Sequence, residues 1–247
     1  MWQGTRIAVV VPAYREERLI GRMLRRVPAY VDAVFVVDDA SPDETLGSAR
    51  AVADPRVRGV RHDVNQGVGA AIVTGYRSAL AEDCAVIAVM AGDDQMHPDD
   101  LEAVIAPVCA GQADYVKGNR FVHPDARRMP RLRRLGGELL SFSTRRATGL
   151  CVSDSQCGFT AISADMLRRL PLSELWPRYG YPNDLLGLLA SHGARVREVP
   201  VRPVYADEES GLRAFHVASI LGVIARRYLR ERRRNYDAIA RSTKVSA

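Results

Sequence analysis

The chain has 247 residues, 47% of them hydrophobic and 26% charged, with a formal net charge of +6. That composition suits a soluble globular protein with one sizeable core, and no run reaches the roughly 18 apolar residues that a membrane span needs. The N-terminal "MWQGTRIAVVVPAYREE" meets charge too soon for a signal peptide and has no small-residue cleavage site, so a single cytoplasmic domain is expected.

Four cysteines, Cys84, Cys109, Cys151 and Cys157, show no CxxC or Cys/His spacing, which argues against disulfides and structural zinc. The basic charge is uneven. Lys117 to Arg146 holds nine Lys and Arg residues against Asp125 and Glu138, and Arg226 to Arg234 holds six arginines against Glu231. Lysine occurs only at Lys117 and Lys244, so this charge is guanidinium, which can grip phosphate oxygens with two parallel hydrogen bonds. Either an anionic partner or a solvated arginine face accounts for it. Nucleic acid is disfavoured, because aromatics are not interleaved with the basic residues and no nucleic-acid module is recognisable.

Along the chain, "RIAVVV" (6 to 11) reads as a buried strand that ends in "PAYRE". A helix follows, with Leu19, Ile20, Met23 and Leu24 at helical spacing. "AVFVVD" (33 to 38) is a second strand ending in Asp38 and Asp39. "SPDETLGSARAVA" is expected to be a helix with Ser41 as N-cap and Pro42 in its first position. "VRGVRH" (57 to 62) is the third strand. "NQGVGAAIVTGYRSAL" (65 to 80) is a helix covering the sheet, and close packing accounts for its Gly69 and Gly75, since it lacks a dinucleotide fingerprint after the first strand.

"AVIAVM" (85 to 90) is the fourth strand, and it runs into "AGDDQMHPDD". Asp94, Asp99 and Asp100 suit the capping of a helix starting near His97 and Pro98, whereas Asp93 sits too early to cap. On an extended segment Asp93 and Gln95 would point the same way and offer two oxygens to a hard cation, which would bridge the phosphates of a nucleotide diphosphate.

Beyond residue 115, "DYVKGNR", "GFTAIS" and "ARVREVPV" read as strands. Arg131 to Thr148 reads as a basic helix with Arg131, Arg134 and Glu138 on one face and Leu132, Leu135, Leu139 and Leu140 on an apolar side. Gly211 to Arg234 is a long helix striped by Val217, Ile220, Leu221, Ile224 and Tyr228. This stripe lies either in a membrane interface or against the protein's own core or a partner subunit. The βαβαβαβ pattern predicts an open, mostly parallel α/β sheet with helices on both faces. Ligands of such sheets bind outside the carboxyl ends of the strands, where "PAYRE", "DDASPD" and "GDDQM" all lie.

In this order, "VVVPAYRE", "VVDDASPDET", "NQGVGAA", "AGDDQMHP", "VKGNR", "DSQCGFTAI" and "REVPV" resemble the family 2 glycosyltransferases of the GT-A fold. Within that family they are similar to the branch of dolichyl-phosphate mannose synthase and the bacterial polyprenyl-phosphate glycosyltransferases. The resemblance implies a Rossmann-like open mixed sheet in one domain. Its nucleotide-sugar half would span about 1–115, its acceptor half about 116–210, and a terminal amphipathic helix about 211–234.

It further implies inverting, metal-dependent transfer from a GDP- or UDP-hexose to a polyprenyl phosphate. Pro12, Tyr14, Glu16 and Asp39 would hold the nucleotide, with Asp39 near the base. Asp93 and Gln95 would ligate Mg²⁺ or Mn²⁺, and Arg120 would lie near the acceptor phosphate. Asp154 matches a family acid, and Asp184 is another acid nearby in sequence. Were the acceptor a hydroxyl, Asp154 or Asp184 would serve as general base, whereas a phosphate is already an oxyanion and needs none.

Two positions depart from the pattern. Ala91 replaces the first acid of the metal motif, and Thr160 replaces an arginine. The first leaves open a non-catalytic nucleotide-sugar binding protein, and the second leaves open an acceptor other than a lipid phosphate. A peripheral position at the inner membrane face, directly or through a small membrane-anchor subunit, is compatible with the sequence.

Overall fold

The computed structural model describes residues 1–204 and 214–245, the side chains of 128, 214–216 and 235–245 excepted. Residues 211–213, where the terminal helix is predicted to open, lie outside the described residues.

Seven strands form one sheet: β1 (Ile7–Ala13), β2 (Ala33–Asp38), β3 (Val57–Arg61), β4 (Val86–Val89), β5 (Tyr115–Asn119), β6 (Thr160–Ser163) and β7 (Val196–Pro200). Their spatial order is β3-β2-β1-β4-β6-β5-β7. Only β6 runs against its neighbours, β4 and β5. The strands β1, β2 and β4 are apolar runs because they are covered on both sides. Ile7, Val9 and Val11 of β1 face one core, and Ala8 and Val10 face the other.

The first core is closed by α1 (Ile20–Arg25), α2 (Thr45–Arg50) and α4 (Leu101–Cys109), which supply Met23, Leu46 and Ile105 among others. The second is closed by α3 (Val68–Ala81), α6 (Ala164–Arg169) and α7 (Tyr181–Ser191). A Cβ on Gly75 would stand 2.2 Å from Val10, and one on Gly69 2.3 Å from the Trp176 carbonyl, so packing alone requires both glycines.

The helix predicted to open at Ser41 begins at Thr45 instead, with Glu44 at its N-cap. Ser41 is drawn away by hydrogen bonds to the first strand's loop, described below. The basic helix α5 spans Arg131–Thr148 as its periodicity predicts.

The terminal helix α8 (Ala214–Val245) docks on the rest of the chain. Its Ile220 and Ile224 pack with Leu140 of α5, and its Val223 lies over Gly180 at the start of α7. Tyr228 remains 43% exposed, but of the two alternatives for the stripe, a membrane interface or a docked face, Ile220 and Ile224 follow the docked one. Leu140 likewise points inward. The apolar face left exposed belongs to α5, where Leu132, Leu135, Leu139 and Phe142, at i, i+3, i+7 and i+10, are 84%, 63%, 50% and 55% exposed. Among the described residues no helix is long and apolar enough to cross a membrane.

Candidate active site

The loops after β1, β2 and β4 meet at the carboxyl edge of the sheet. The loop after β1 is strapped to the loop after β2: the Arg15 amide donates to Ser41 Oγ at 3.1 Å and the Glu16 amide to Thr45 Oγ1 at 2.9 Å. Arg15 and Ala40 adopt φ of 62° and 59°, left-handed conformations that non-glycine residues hold only where their surroundings enforce them. Tyr14 remains exposed with the Arg15 guanidinium 5.3 Å from its ring centroid, and Pro12 is half-buried. The Glu16 stem passes 3.4 Å from where a Cβ on Gly92 would sit, which brings Glu16 to the loop carrying Asp93.

Asp39, expected near a nucleotide base, is held in place by the protein. Its Oδ1 accepts from the Gln66 amide at 2.9 Å and lies 2.7 Å from His62 Nδ1, while Oδ2 accepts from the Gly67 amide at 2.7 Å. It is buried and pins the loop before α3.

The acids that end β4 divide their work. The segment is a turn rather than an extended stretch: Asp93 Oδ1 accepts the Gln95 amide at 3.0 Å, and Asp94 stands at φ 56°. Asp94 is no helix cap. Its two oxygens accept from Arg22 Nε at 2.6 Å and Arg26 Nη1 at 2.9 Å, while His97 caps the following 3-10 turn (Pro98–Asp100). Asp100 accepts the Arg202 amide at 2.6 Å, tying the segment after β7 to this turn.

Asp93 and Gln95 line two adjoining cavities. One is completed by Arg22, Arg26 and His97, the other by Met96, Arg120, Arg133 and Arg202. No group of three His, Cys, Asp or Glu residues suited to a metal occurs among the described residues, in keeping with Ala91. One carboxylate and one amide oxygen nevertheless fit a hard cation of the kind that completes its shell with water and substrate phosphates.

On the acceptor side, Arg120 follows β5 and grips Asp154 with Nε at 2.8 Å and Nη2 at 2.9 Å, its amide adding a third bond at 3.1 Å. Burial pushes the Asp154 carboxyl up, but the charge and hydrogen bonds of Arg120 outweigh it and hold the group below the usual carboxylate range. A carboxylate so held is a weak base, which disfavours the general-base role that a hydroxyl acceptor would ask of Asp154.

Asp184 is corrected more fully. It is buried under α8, bound by Arg227 Nε at 2.8 Å and Nη2 at 2.7 Å and by the Trp176 amide at 2.8 Å, and it lines neither cavity. Thr160 is buried within β6, in register with Val89 of β4 and Lys117 of β5, so its departure from the pattern falls in the sheet and not on the cavity wall.

Three polar residues packed behind Arg120 and Asp154, none of them lining either cavity, lie outside the predicted set. Lys117, fully buried in β5, donates to the Cys157 carbonyl, and burial lowers its pKa. Asn119 and Glu198 form a hydrogen-bonded pair at 3.0 Å beside the Asp154 loop. A lysine inside an apolar strand was the available signal for the first. Gly118, between them, is required by close approach, since a Cβ there would lie 2.7 Å from Val201.

Comparison with known proteins agrees with this geometry. Residues 8–171 match the family model described as glycosyl transferase family 2. The chain is 32% identical to the undecaprenyl-phosphate mannosyltransferase of Micrococcus luteus, covering 83% of this chain and 86% of that one. It is 28% identical to the UDP-N-acetylglucosamine–dolichyl-phosphate N-acetylglucosaminyltransferase of Methanococcus voltae, covering 81% and 86%. Its fold matches glucosyl-3-phosphoglycerate synthase of Mycobacterium tuberculosis, crystallised with Mn²⁺, UDP-glucose and phosphoglyceric acid, with a TM-score of 0.70 at 24% identity over 92% of this chain and 80% of that one. Motifs, sheet order and the cleft at the strand ends thus converge with sequence similarity, and the chain belongs to glycosyl transferase family 2, with the α/β fold of the GT-A enzymes.

Proposed function

We propose that this glycosyltransferase moves a sugar from a nucleotide-diphosphate sugar to a polyprenyl phosphate in one inverting displacement, at the inner face of a membrane. One observation carries the reading: the cavity that Asp93 and Gln95 share with Arg120, Arg133 and Arg202 adjoins α5, whose Leu132, Leu135, Leu139 and Phe142 stand exposed. An anion grip beside an apolar surface suits an acceptor that is a phosphate on a lipid chain. The relatives named for undecaprenyl and dolichyl phosphates support the acceptor, and the UDP in the name of one of them supports a uridine donor over GDP.

Asp93 and Gln95 would hold Mg²⁺ or Mn²⁺, which when bound supplies positive charge to the diphosphate leaving group. Pro12, Tyr14 and Glu16, at the end of β1 and in the loop after it, would hold the nucleotide. Arg120, oriented by Asp154, holds the acceptor phosphate with an oxygen towards the sugar carbon. That oxygen is already anionic, so the chain supplies orientation and charge rather than a base. A hydroxyl acceptor is less well supported, because both acids it would call upon are bound bidentately by arginines.

The test incubates the protein with Mg²⁺ or Mn²⁺, labelled UDP- and GDP-sugars and undecaprenyl phosphate, and counts label in the organic phase with EDTA as control. Metal-dependent organic label is expected, and Asp93→Ala should lower it on the order of 10²- to 10³-fold without unfolding the protein. Nucleotide release without organic label would sink the lipid acceptor, and binding without turnover would favour a non-catalytic protein. Leu135→Asp with Leu139→Asp should abolish co-flotation with vesicles containing phosphatidylglycerol while sparing transfer to a short-chain prenyl phosphate. Unchanged flotation would exclude α5 as the lipid-facing surface.

A further inference from the structure

We propose that Glu198 is a positioning residue that sets the acceptor-binding arginine, a role that rests on the acceptor reading above. Glu198 lies on β7, the edge strand, in register with Lys117 of β5. Its carboxylate takes three donors: Oε1 accepts the Ser153 and Asp154 amides, both at 2.8 Å, and Oε2 accepts Asn119 Nδ2 at 3.0 Å. Asn119 in turn accepts the Phe121 amide on Oδ1 at 2.9 Å. The backbone on both sides of Arg120 and the backbone of Asp154 are therefore referred to one side chain.

The two carboxylate oxygens accept all three donors at once, whereas a side chain with a single acceptor oxygen leaves Asn119 Nδ2 without its partner. The edge strand does not need this for its own sake, since β7 is already paired to β5 and extended by the Val201 amide bonding to the Asn119 carbonyl. Between the Val152 carbonyl, held by Arg145, and the Ser155 amide, held by Ser141, Glu198 fixes the Ser153 and Asp154 amides of the loop. That loop sets the Asp154 carboxylate, and the carboxylate sets the Arg120 fork. The strand end is also held towards the donor side through the Arg202 amide on Asp100, so β7 has little freedom to absorb an error.

The test uses the full-length protein, with steady-state kinetics in each substrate and with calorimetric binding of farnesyl phosphate in the absence of donor. Glu198→Ala should lower kcat/KM for the lipid phosphate on the order of 10- to 100-fold, and weaken farnesyl phosphate binding, while the donor KM stays unchanged. Glu198→Gln should recover most of the loss, because its amide oxygen keeps the two backbone bonds and only the Asn119 contact becomes donor against donor. In an Arg120→Lys background, Glu198→Ala should add little, since the fork it positions is already gone.

Equal losses for donor and acceptor, full additivity with Arg120→Lys, or unchanged binding would overturn the proposal. Should Glu198→Ala fail to fold, Asn119→Ser is read in the same way, with a smaller shift confined to the acceptor expected and no shift counting against it. A wild-type protein that neither binds farnesyl phosphate nor transfers to undecaprenyl phosphate would remove the acceptor reading and this proposal with it. A wild type that binds, beside a Glu198→Ala variant that binds equally well, would remove the proposal alone.

Discussion

Asp154 and Asp184 are both fully buried, and each is gripped by one arginine through two nitrogens at 2.7 to 2.9 Å. The arginines differ. Arg120 keeps 21% of its side chain exposed and lines the cavity shared with Asp93, whereas Arg227 keeps 3% and lies between α7 and α8 beside Glu174 and Glu231. The acid is equally inaccessible in both pairs, so burial of a carboxylate does not mark a catalytic group. The exposed face of its partner distinguishes a pair that reaches a cavity, and is proposed to meet substrate, from one that holds two helices together.

The sharpest way to break this comparison is to remove each arginine. Arg120→Ala should reduce transfer on the order of 10²- to 10³-fold, by losing the acceptor grip, and should also destabilise the fold by about 3–5 kcal/mol because Asp154 is left buried and unpaired. Kinetics and urea denaturation of the same preparation separate the two effects. Arg227→Ala should cost a similar 3–5 kcal/mol or so of stability but leave turnover per folded molecule unchanged. A kinetic defect surviving correction for the folded fraction would contradict the purely structural assignment of Asp184.

A smaller effect is expected when both partners of the core pair are replaced together. Asp184→Leu with Arg227→Met should lie within about 1–2 kcal/mol of the wild type by thermal or chemical denaturation, because apolar groups of similar volume relieve the desolvation of both charges. The corresponding double replacement at Asp154 and Arg120 should fold yet not transfer.

The smallest effect concerns pH. The Asp154 carboxyl is held below its ordinary value of 3.8, so its contribution to stability is present above that value and is lost as pH falls through the lower folded-state value. Asp154→Asn should flatten the fall in stability across that acid window. An unchanged acid-unfolding curve would show that the pair contributes nothing there.

Much of the architecture was legible in the amino-acid sequence. Strand runs, the bounds of α5, the meeting of "PAYRE", "DDASPD" and "GDDQM" at one sheet edge, and the family itself all follow from hydrophobic period and from motifs in order. These are local quantities, set by side-chain alternation and backbone sterics within a few residues. The tertiary structure decided the partner of each polar group. Arg120 finds Asp154 across 34 positions, Arg227 finds Asp184 across 43, and Glu198 finds the Asp154 amide across 44.

It also decided that Ser41 and Asp94 serve neighbouring elements rather than their own helices, and that Ile220 and Ile224 of α8 pack on Leu140 while Leu132, Leu135, Leu139 and Phe142 of α5 stay uncovered. An amphipathic stripe specifies that a face will be buried without specifying against what, and a charged residue specifies a need for a partner without naming one. Both are settled only when the sheet closes and brings distant segments within hydrogen-bonding reach.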